Sequence, residues 1–331
     1  MNAFPQVDVV TIGESMVLFQ PMTNGSLTYA PLFTKTVAGA ESNVAIGLTR
    51  LGLRTRWISR LGTDPFGDQV LATLAGEGVD VSTVLRDSEA PTGLYFKEFK
   101  GLGDPTVYFY RKLSAASQFT PESLKPEWFV GAKHLHVTGI LPALGAHTTE
   151  TALEAMRIAR KQGMTISFDP NLRRKLWNEK RAREVLLSMI PLCDYFLPGL
   201  EEAEFLVGEH AEMDYAKIFL DQGVKVVAMK LGERGSMGFF DQTCIKAEPH
   251  RVSTLVDTVG AGDAFAAGFL SIMVGQSLST ESHAMGERLK QALQRANLLG
   301  ALATQFKGDW EGLPTLAEVQ RILSGTKDIT R

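Results

Sequence analysis

Short apolar segments of strand length alternate with longer segments of helical periodicity from residue 134 to the end of the sequence. Such alternation is typical of βαβ units, in which parallel strands form a central sheet and helices cover both of its faces. The sequence therefore predicts an α/β fold with a mainly parallel sheet. The predicted strands are His134–Val137, Thr165–Asp169, Tyr195–Leu197, Lys225–Leu231 and Gly238–Phe240, and the predicted helices are Thr148–Gln162, Glu179–Met189, Glu201–Leu206, Asp214–Asp221, Ala261–Val274, Glu281–Gln305 and Leu316–Leu323.

The beginning of the sequence follows the same alternation, but two extended segments fall outside it. A strand over Val7–Ile12, a helix over Glu41–Leu51 and a strand over Arg54–Leu61 continue the pattern. Residues 14–38 and 90–113 instead mix polar and β-forming residues. We expect these two segments to form a small β-sheet, called the lid below, that covers the functional site.

The two lid segments differ in their sequence signals. Aromatic residues flank Gly101–Pro105, which is typical of a β-hairpin, whereas Met16–Phe33 predicts exposed extended structure. The sequence contains no internal repeat, low-complexity tract or linker. Residues 1–331 are therefore predicted to form a single domain that includes the lid.

Composition excludes several classes of function. The net charge is −3 with both signs interspersed, so no basic patch indicates nucleic-acid binding. No apolar run is long enough to span a membrane, and the first residues lack the pattern of a signal peptide. Cys193 and Cys244 are not in a metal-binding or redox spacing, and so few cysteines suit a reducing compartment. We therefore expect a cytoplasmic protein without a membrane or nucleic-acid partner.

A glycine-rich segment at residues 257–269 leads directly into a predicted helix. Gly260 and Gly262 allow backbone conformations that point several N–H groups in one direction, and the helix that begins near Ala261 adds unpaired N–H groups and a positive dipole end. These features predict a phosphate site. Asp263 would repel a phosphate there, unless it accepts a proton from a nucleophile that attacks the phosphate. The alternative is that Asp263 only complements the helix dipole.

The length of the glycine-rich motif identifies a family. The run D-T-x-G-A-G-D-x-F-x-x-G-F is neither a Walker A loop nor a dinucleotide fingerprint, and it resembles the carboxy-terminal signature of the ribokinase, or pfkB, family of sugar kinases. Gly62–Gly67 resembles that family's G-x-D-x-x-G motif. The resemblance spans nearly the whole chain and implies a ribokinase-like three-layer sandwich with a β lid, using ATP and Mg²⁺. It also implies that Gly39, Ala40 and Asn43 form the motif that contacts the sugar.

Within the family, the sequence is most similar to the kinases that act on the sugar acid 2-keto-3-deoxygluconate. Three segments carry this similarity: Tyr108–Ser117, Phe168–Trp177 and Lys307–Pro314. The carboxylate of such a substrate requires a positive partner, and a guanidinium matches its two oxygens. Arg173 follows a strand end and Arg111 follows the lid hairpin, so both are assigned to this carboxylate, the alternative being that both are solvated.

The lid tyrosines of that group are only partly matched. Tyr95 fits one of them, and aromatic packing within the lid is an equal alternative. Phe109 occupies a position where many members have Tyr, so a hydroxyl contact either is missing or comes from Tyr110 or Tyr108.

The nucleotide side carries weaker signals. Lys230, Gly232 and Gly235 resemble the family's K-x-G-x-x-G beside the ATP phosphates, although this pattern is also typical of a simple turn. The resemblance implies that Asn297 lines the adenine pocket and that Glu202 reaches Mg²⁺ through water. Gly199 replaces the Asn of the family's metal motif, and Glu202 could instead only decorate a helix amino terminus.

The predicted reaction is ATP-dependent phosphorylation of the primary hydroxyl of 2-keto-3-deoxygluconate to give 2-keto-3-deoxy-6-phosphogluconate, with Asp263 as base. The glycine loop Gly260–Gly262 belongs to the catalytic site, and the N–H groups of Ala261, Gly262 and Asp263 stabilise the phosphoryl charge. The alternatives are a kinase of a neutral sugar (fructokinase-like) or of 5-dehydro-2-deoxygluconate, and a catalytically silent regulator. The resemblance also implies a homo-oligomer, such as a dimer, through the lid edges. Activation by a monovalent cation such as K⁺ is left open.

Overall fold

The structure is a computed structural model that describes residues 4–98, 106–275 and 282–324. Its strands are β1 (Val9–Ile12), β2 (Met16–Pro21), β3 (Phe33–Ala38), β4 (Thr55–Ile58), β5 (Arg60–Gly62), β6 (Leu85–Asp87), β7 (Leu94–Glu98), β8 (Thr106–Tyr110), β9 (His134–Thr138), β10 (Thr165–Asp169), β11 (Tyr195–Phe196), β12 (Val226–Lys230), β13 (Ser236–Phe240) and β14 (Thr243–Ala247). Its α-helices are α1 (Ala40–Arg50), α2 (Pro65–Gly76), α3 (Ile140–Ala143), α4 (Ala146–Lys161), α5 (Glu179–Met189), α6 (Leu200–Val207), α7 (Glu212–Asp221), α8 (Ala261–Met273), α9 (Ser282–Ala303) and α10 (Leu316–Ser324).

The central sheet has the strand order β14-β13-β12-β11-β10-β9-β1-β4. The six strands from β12 to β4 are mutually parallel, and β13 and β14 add an antiparallel edge. Residues of α4, α5 and α7 pack on one face in a core that includes Met156, Leu186 and Phe219. Residues of α1, α8 and α9 pack on the other face around Val44 and Phe269. The α/β fold with a mainly parallel sheet and helices on both sides is thereby confirmed.

The parallel strands bring their carboxyl ends to one edge of the sheet. The segments that leave this edge after β1, β9, β10 and β12 begin at Gly13, Gly139, Pro170 and Leu231. In open α/β sheets, ligands bind beside this edge. The chain segments that follow the parallel strands therefore outline the candidate site.

The lid is a separate sheet with the strand order β3-β2-β7-β8. The antiparallel pairing of β7 with β8 confirms a hairpin, while its predicted turn at Gly101–Pro105 lies outside the described residues. The prediction that Met16–Phe33 is exposed was wrong for β2, because Val17 packs against Val37 on one face of the lid and Leu18 packs against Tyr95 on the other.

Two further elements differ from the sequence-based expectation. The predicted strand Arg54–Leu61 is divided, because β5 leaves the central sheet and pairs with β6 in a two-stranded sheet. The edge strand β14 was not predicted, since its alternating, partly exposed residues lack the continuous apolar character of the buried strands. Among the residues described here, the helices do not reach the combination of length and apolar character that a membrane crossing requires.

Candidate active site

Asp263 lies in the first turn of α8, immediately after the glycine loop. Gly260 has a left-handed backbone (φ +80°), and an ideal Cβ at this position would lie 2.0 Å from the carbonyl oxygen of Asp309. Only glycine combines this φ with such a close approach. At Gly262 an ideal Cβ would meet only the Lys230 ammonium, at 4.0 Å, so the backbone of the first turn faces open space. A phosphate fits this arrangement, although the Ala261 N–H already donates to the Thr258 carbonyl at 3.4 Å.

The Asp263 carboxylate is buried and held by two amides. The side-chain amide of Asn43 donates to one oxygen at 2.8 Å, and that of Asn171 donates to the other at 3.4 Å. Burial raises the pKa of Asp263 to about 7, against the Asn43 hydrogen bond that lowers it and with the nearby Asp169 charge that raises it further. A carboxyl group with this pKa exchanges protons near neutral pH, as a general base must.

The amino-terminal glycine motif meets Asp263 directly. Gly39 precedes α1, and an ideal Cβ there would lie 2.4 Å from the carbonyl oxygen of Glu14. Asn43 lies one turn further on and accepts a hydrogen bond from the Gly39 N–H at 3.4 Å while donating to Asp263. The structure thus joins the first turns of α1 and α8 through Asn43 and Asp263, with Gly39 and Ala40 at the start of α1.

Glu41 is a site residue that sequence reasoning missed. Its side chain is fully buried, one carboxyl oxygen accepts the Thr138 hydroxyl at 2.6 Å, and the other has no hydrogen-bond partner among the residues described. Burial raises the pKa of Glu41 to about 7. The signal was present in G-A-E-S-N, but an acidic residue in a first turn is ordinarily interpreted as a helix-dipole partner.

Arg111 does not lie free in the site. It follows β8, is buried, and forms an ion pair with the fully buried Glu14, which also accepts the Ser114 hydroxyl. Its guanidinium also lies over the Phe109 ring at 5.7 Å. Glu14 therefore matches the charge of Arg111 within the protein, and the assignment of Arg111 to a substrate carboxylate stays a prediction.

Arg173 differs from Arg111 both in its exposure and in its lack of an ion pair among the described residues. It is exposed and follows the loop in which Asn171 has a left-handed backbone (φ +39°). In the part of the chain that the structure describes, no carboxylate lies within ion-pair distance of Arg173. Asn171, two residues before Arg173, donates to Asp263 at 3.4 Å, and the Arg173 charge lowers the pKa of Asp263.

Lys230 marks the nucleotide side. Its ammonium lies 2.8 Å from Asp169 and 3.8 Å from Glu202. Burial acts to lower the pKa of Lys230, but the charges of Asp169 and Glu202 outweigh it and hold the pKa above its usual value. Gly232 (φ +59°) and Gly235 (φ +83°) shape the turn that follows β12. The Lys230 ammonium lies beside the glycine loop, 4.0 Å from an ideal Cβ at Gly262.

The carboxylate of Glu202 accepts hydrogen bonds from the protein backbone. Its oxygens accept the N–H groups of Gly199 at 2.7 Å and Leu172 at 2.9 Å, so it caps α6 and fixes the residue before Arg173. Each oxygen retains a further lone pair, which fits an indirect metal contact through water. The described residues contain no group of three or more His, Cys, Asp or Glu side chains arranged to hold a metal.

Asn297 has a supporting position. Its buried amide donates to the carbonyls of Ala247 at 3.1 Å and Glu248 at 2.9 Å, which joins α9 to the end of β14. Both N–H donors of its amide are thereby used within the protein, leaving only its oxygen for an adenine ring.

The lid tyrosines divide between two faces of the lid sheet. Tyr95 is buried, donates to Asp309 at 3.4 Å and stacks on Phe109 at 5.4 Å between ring centroids. Tyr110 is 66% exposed and contacts Phe96 on the opposite face. Tyr108 also lies on that face, opposite Phe96 in the ladder. The structure therefore places Tyr110 and Tyr108 on the face of the lid sheet opposite to that of Tyr95. This position does not support their assignment to the substrate, which stays a prediction.

The chain is similar to known carbohydrate kinases over nearly its whole length. A family model described as pfkB family carbohydrate kinase matches residues 6–316. The chain is 42% identical over 326 residues to 2-dehydro-3-deoxygluconokinase of Bacillus subtilis (strain 168), covering 98% of each chain. It is 34% identical to probable fructokinase-4 of Arabidopsis thaliana, covering 96% of this chain and 97% of the relative. A putative ribokinase II from E. coli, solved in complex with ATP and Mg²⁺, matches with a TM-score of 0.84 and 28% identity, covering 96% of this chain and 99% of the other.

Proposed function

The chain belongs to the pfkB family of carbohydrate kinases, and from that premise we propose that it phosphorylates the primary hydroxyl of 2-keto-3-deoxygluconate with ATP. The product would be 2-keto-3-deoxy-6-phosphogluconate. The observation that carries this proposal is the position of Arg173, which has no ion-pair partner among the described residues and lies two residues after Asn171, whose amide donates to Asp263 at 3.4 Å. Arg173 thereby offers a carboxylate partner near the group that activates the hydroxyl. The 42% identity to a 2-dehydro-3-deoxygluconokinase, the same sugar acid under its other name, supports the same substrate.

Asp263 acts as the general base in this proposal. Its carboxylate takes the proton of the primary hydroxyl as the hydroxyl oxygen attacks the γ-phosphorus of ATP, and ADP leaves from the opposite side. Asn43 and Asn171 hold the carboxylate in place, so little reorganisation accompanies the proton transfer.

The phosphoryl group is bound at the glycine loop. Backbone N–H groups of Gly260, Gly262 and Asp263 would bind it, and that of Ala261 would join them on leaving the Thr258 carbonyl, to which it donates at 3.4 Å. Lys230, 4.0 Å from an ideal Cβ at Gly262, adds a positive charge. Mg²⁺ would neutralise phosphate charge, with Glu202 contacting it through water. Gly232 and Gly235 would approach the nucleotide phosphates, and Asn297 would support the adenine pocket behind them.

The sugar acid lies between the sheet edge and the lid. Gly39, Ala40 and Asn43 line its hydroxyl end, and Arg173 binds its carboxylate. The Nε of Arg111 has no hydrogen-bond partner within the described residues, so it can donate to the substrate although its charge is matched by Glu14. Tyr95 and Phe109 close the site from the lid.

A fructokinase-like kinase of a neutral sugar is the second candidate. The ion pair of Arg111 with Glu14 favours it, because a neutral substrate does not require an open charge from the lid. The identity of 34% to a plant fructokinase agrees with this candidate.

A coupled assay of ADP release tests the proposal. Mg-ATP is supplied with 2-keto-3-deoxygluconate, fructose or ribose in parallel, and the product is identified by phosphorus NMR. We expect turnover on the sugar acid, with the phosphate on its terminal hydroxyl. Turnover on fructose alone would support the second candidate and contradict the substrate assignment.

The oligomer predicted from the sequence is also kept as a proposal. Strand β8 lies at an edge of the lid sheet and exposes Tyr108, Phe109 and Tyr110, which supports pairing of lid edges. Sedimentation of the chain should then give a dimer or a larger assembly, and a monomer would contradict the proposal. The cytoplasmic location stays a prediction.

A further inference from the structure

Lys97 is a buried lysine that links the lid to the glycine loop. It belongs to β7 and lies on the same face of the lid sheet as Tyr95. Its side chain is only 2% exposed, and its ammonium lies 3.4 Å from Asp257 and 3.6 Å from Asp309. A lysine is rarely this buried unless carboxylates compensate its charge, so the two contacts account for its position.

Both carboxylate partners shape the glycine loop. Asp257 begins the loop, and one of its oxygens accepts the Val259 N–H at 3.1 Å. The backbone of Asp309 lies against Gly260, where it leaves no room for a side chain. The ammonium of Lys97 therefore connects the two segments that define the loop before Asp263.

The segment that contains Asp309 is attached to the lid by further contacts. The Trp310 indole donates to the Val37 carbonyl at 2.8 Å, and the Thr36 hydroxyl donates to Glu311. Tyr95 contacts Asp309 at 3.4 Å. Lys97 is the contact in this group that also reaches Asp257, and thus the glycine loop itself.

The ammonium of Lys97 compensates the negative charges of Asp257 and Asp309. Burial raises the pKa of Asp309, the Lys97 charge lowers it, and the charges of Glu311 and Asp257 raise it again. Without Lys97, two carboxylates would face each other in a buried space, and their repulsion would push the segments apart.

We propose that Lys97 is a positioning residue whose ammonium holds Asp257 and Asp309 together, so that the lid fixes the glycine loop in the geometry that phosphoryl transfer requires. The kinetic part of this inference rests on the proposed function, whereas its structural part does not. Lys97 acts through the loop and does not contact the reacting groups, so its loss should lower kcat and leave the KM of the sugar nearly unchanged.

Two substitutions of Lys97 and one control variant distinguish the effect of losing the ammonium charge from the effect of losing side-chain packing. Lys97→Ala removes the ammonium and leaves a cavity, and Lys97→Met removes the charge but keeps the length of the side chain. Lys35→Ala removes an exposed lysine from the neighbouring part of the same sheet. Hydrogen–deuterium exchange of the peptide that spans residues 257–263 measures how readily the backbone of the glycine loop opens to solvent. Circular dichroism checks that each variant is folded.

We expect both Lys97 variants to exchange faster in this peptide and to lose kcat by up to about 100-fold, because small displacements of reacting groups have effects of this size. Ammonium chloride should restore kcat of Lys97→Ala relative to sodium chloride at equal ionic strength, since the ion can enter the cavity. It should not restore Lys97→Met. Lys35→Ala should match the wild type in both measurements.

Unchanged exchange and unchanged kcat in Lys97→Met would overturn the proposal. Equal loss in both variants without restoration of Lys97→Ala by ammonium would also overturn it, because packing rather than charge would then be responsible. If the wild type phosphorylates none of the sugars, the proposed function fails, and the exchange measurement alone decides the role of Lys97.

Discussion

Charged side chains on the lid side of the site differ from Arg173 and Asp263 at the sheet edge in whether the protein itself supplies their ion-pair partners. On the lid side, Arg111 is paired with Glu14, and Lys97 lies between Asp257 and Asp309. At the sheet edge, Arg173 has no ion-pair partner among the described residues, and Asp263 has a pKa of about 7. The charges of Arg111 and Lys97 on the lid side are thus compensated within the protein. At the sheet edge Lys230 is likewise paired with Asp169, but Arg173 and Asp263 can respond to a ligand.

This difference separates residues that shape the site from residues that act in it. A compensated buried pair contributes chiefly when it is intact, because removing one partner leaves the other charge buried. A charged group without a partner in the protein can instead interact with a substrate or stabilise a transition state. We therefore expect lid substitutions to affect stability and geometry, and sheet-edge substitutions to affect chemistry and substrate choice.

The largest effect is expected from Asp263→Asn. This variant keeps the shape of the side chain but cannot accept the hydroxyl proton, so kcat should fall by about 10²–10⁴. Steady-state ADP release measures it. Asp68→Asn is the matched control, because Asp68 also lies in the first turn of a helix, α2, but is exposed. Similar losses in both variants would mean that Asp263 serves only the helix dipole.

Arg111→Ala tests the lid side. Glu14 is fully buried, so the variant leaves a buried charge unpaired and should lose about 3–5 kcal/mol of unfolding free energy. Chemical denaturation measures this loss. The double variant Arg111→Met with Glu14→Gln should recover part of it. If Arg111→Ala is as stable as the wild type and only raises the KM of the sugar acid, then Arg111 belongs to the substrate and the contrast fails.

The pH profile of kcat/KM tests the sheet-edge side. Asp263 must be deprotonated to accept a proton, and its pKa is raised to about 7. Activity should therefore be highest above pH 7 and fall about tenfold for each pH unit well below it. Because the Arg173 charge lowers the pKa of Asp263, Arg173→Ala should move the midpoint upward. A profile that is flat between pH 5 and 8 in the wild type would contradict the assignment of the base.

The sequence predicted the elements that depend on local pattern. The alternation of strands and helices predicted most of the parallel sheet, and the glycine loop placed Gly260 and Asp263 correctly at the start of α8. These features follow from periodicity and from backbone conformations that glycine allows, and both can be recognised within a few residues.

The remaining features depend on contacts between distant parts of the chain. Glu14 and Arg111 are 97 positions apart, so no local pattern indicated their ion pair. The partners of Lys97 and of Glu41 likewise come from distant elements. The sequence also did not indicate which lid residues share a face. Successive residues of a strand point to opposite faces, and the strand register places Phe109 opposite Tyr95, with Tyr110 on the other face.

The most direct test of the sugar-acid assignment is the ratio of kcat/KM for 2-keto-3-deoxygluconate to that for fructose, measured in the wild type and in Arg173→Ala. Arg174→Ala is the control, because Arg174 is paired with Glu179 and stacks on Phe205. We predict that the wild type prefers the acid and that Arg173→Ala lowers the ratio by about 10–100-fold, the value of a charged hydrogen bond, with little change on fructose. An equal loss on both sugars, or a wild type that prefers fructose, would contradict the account.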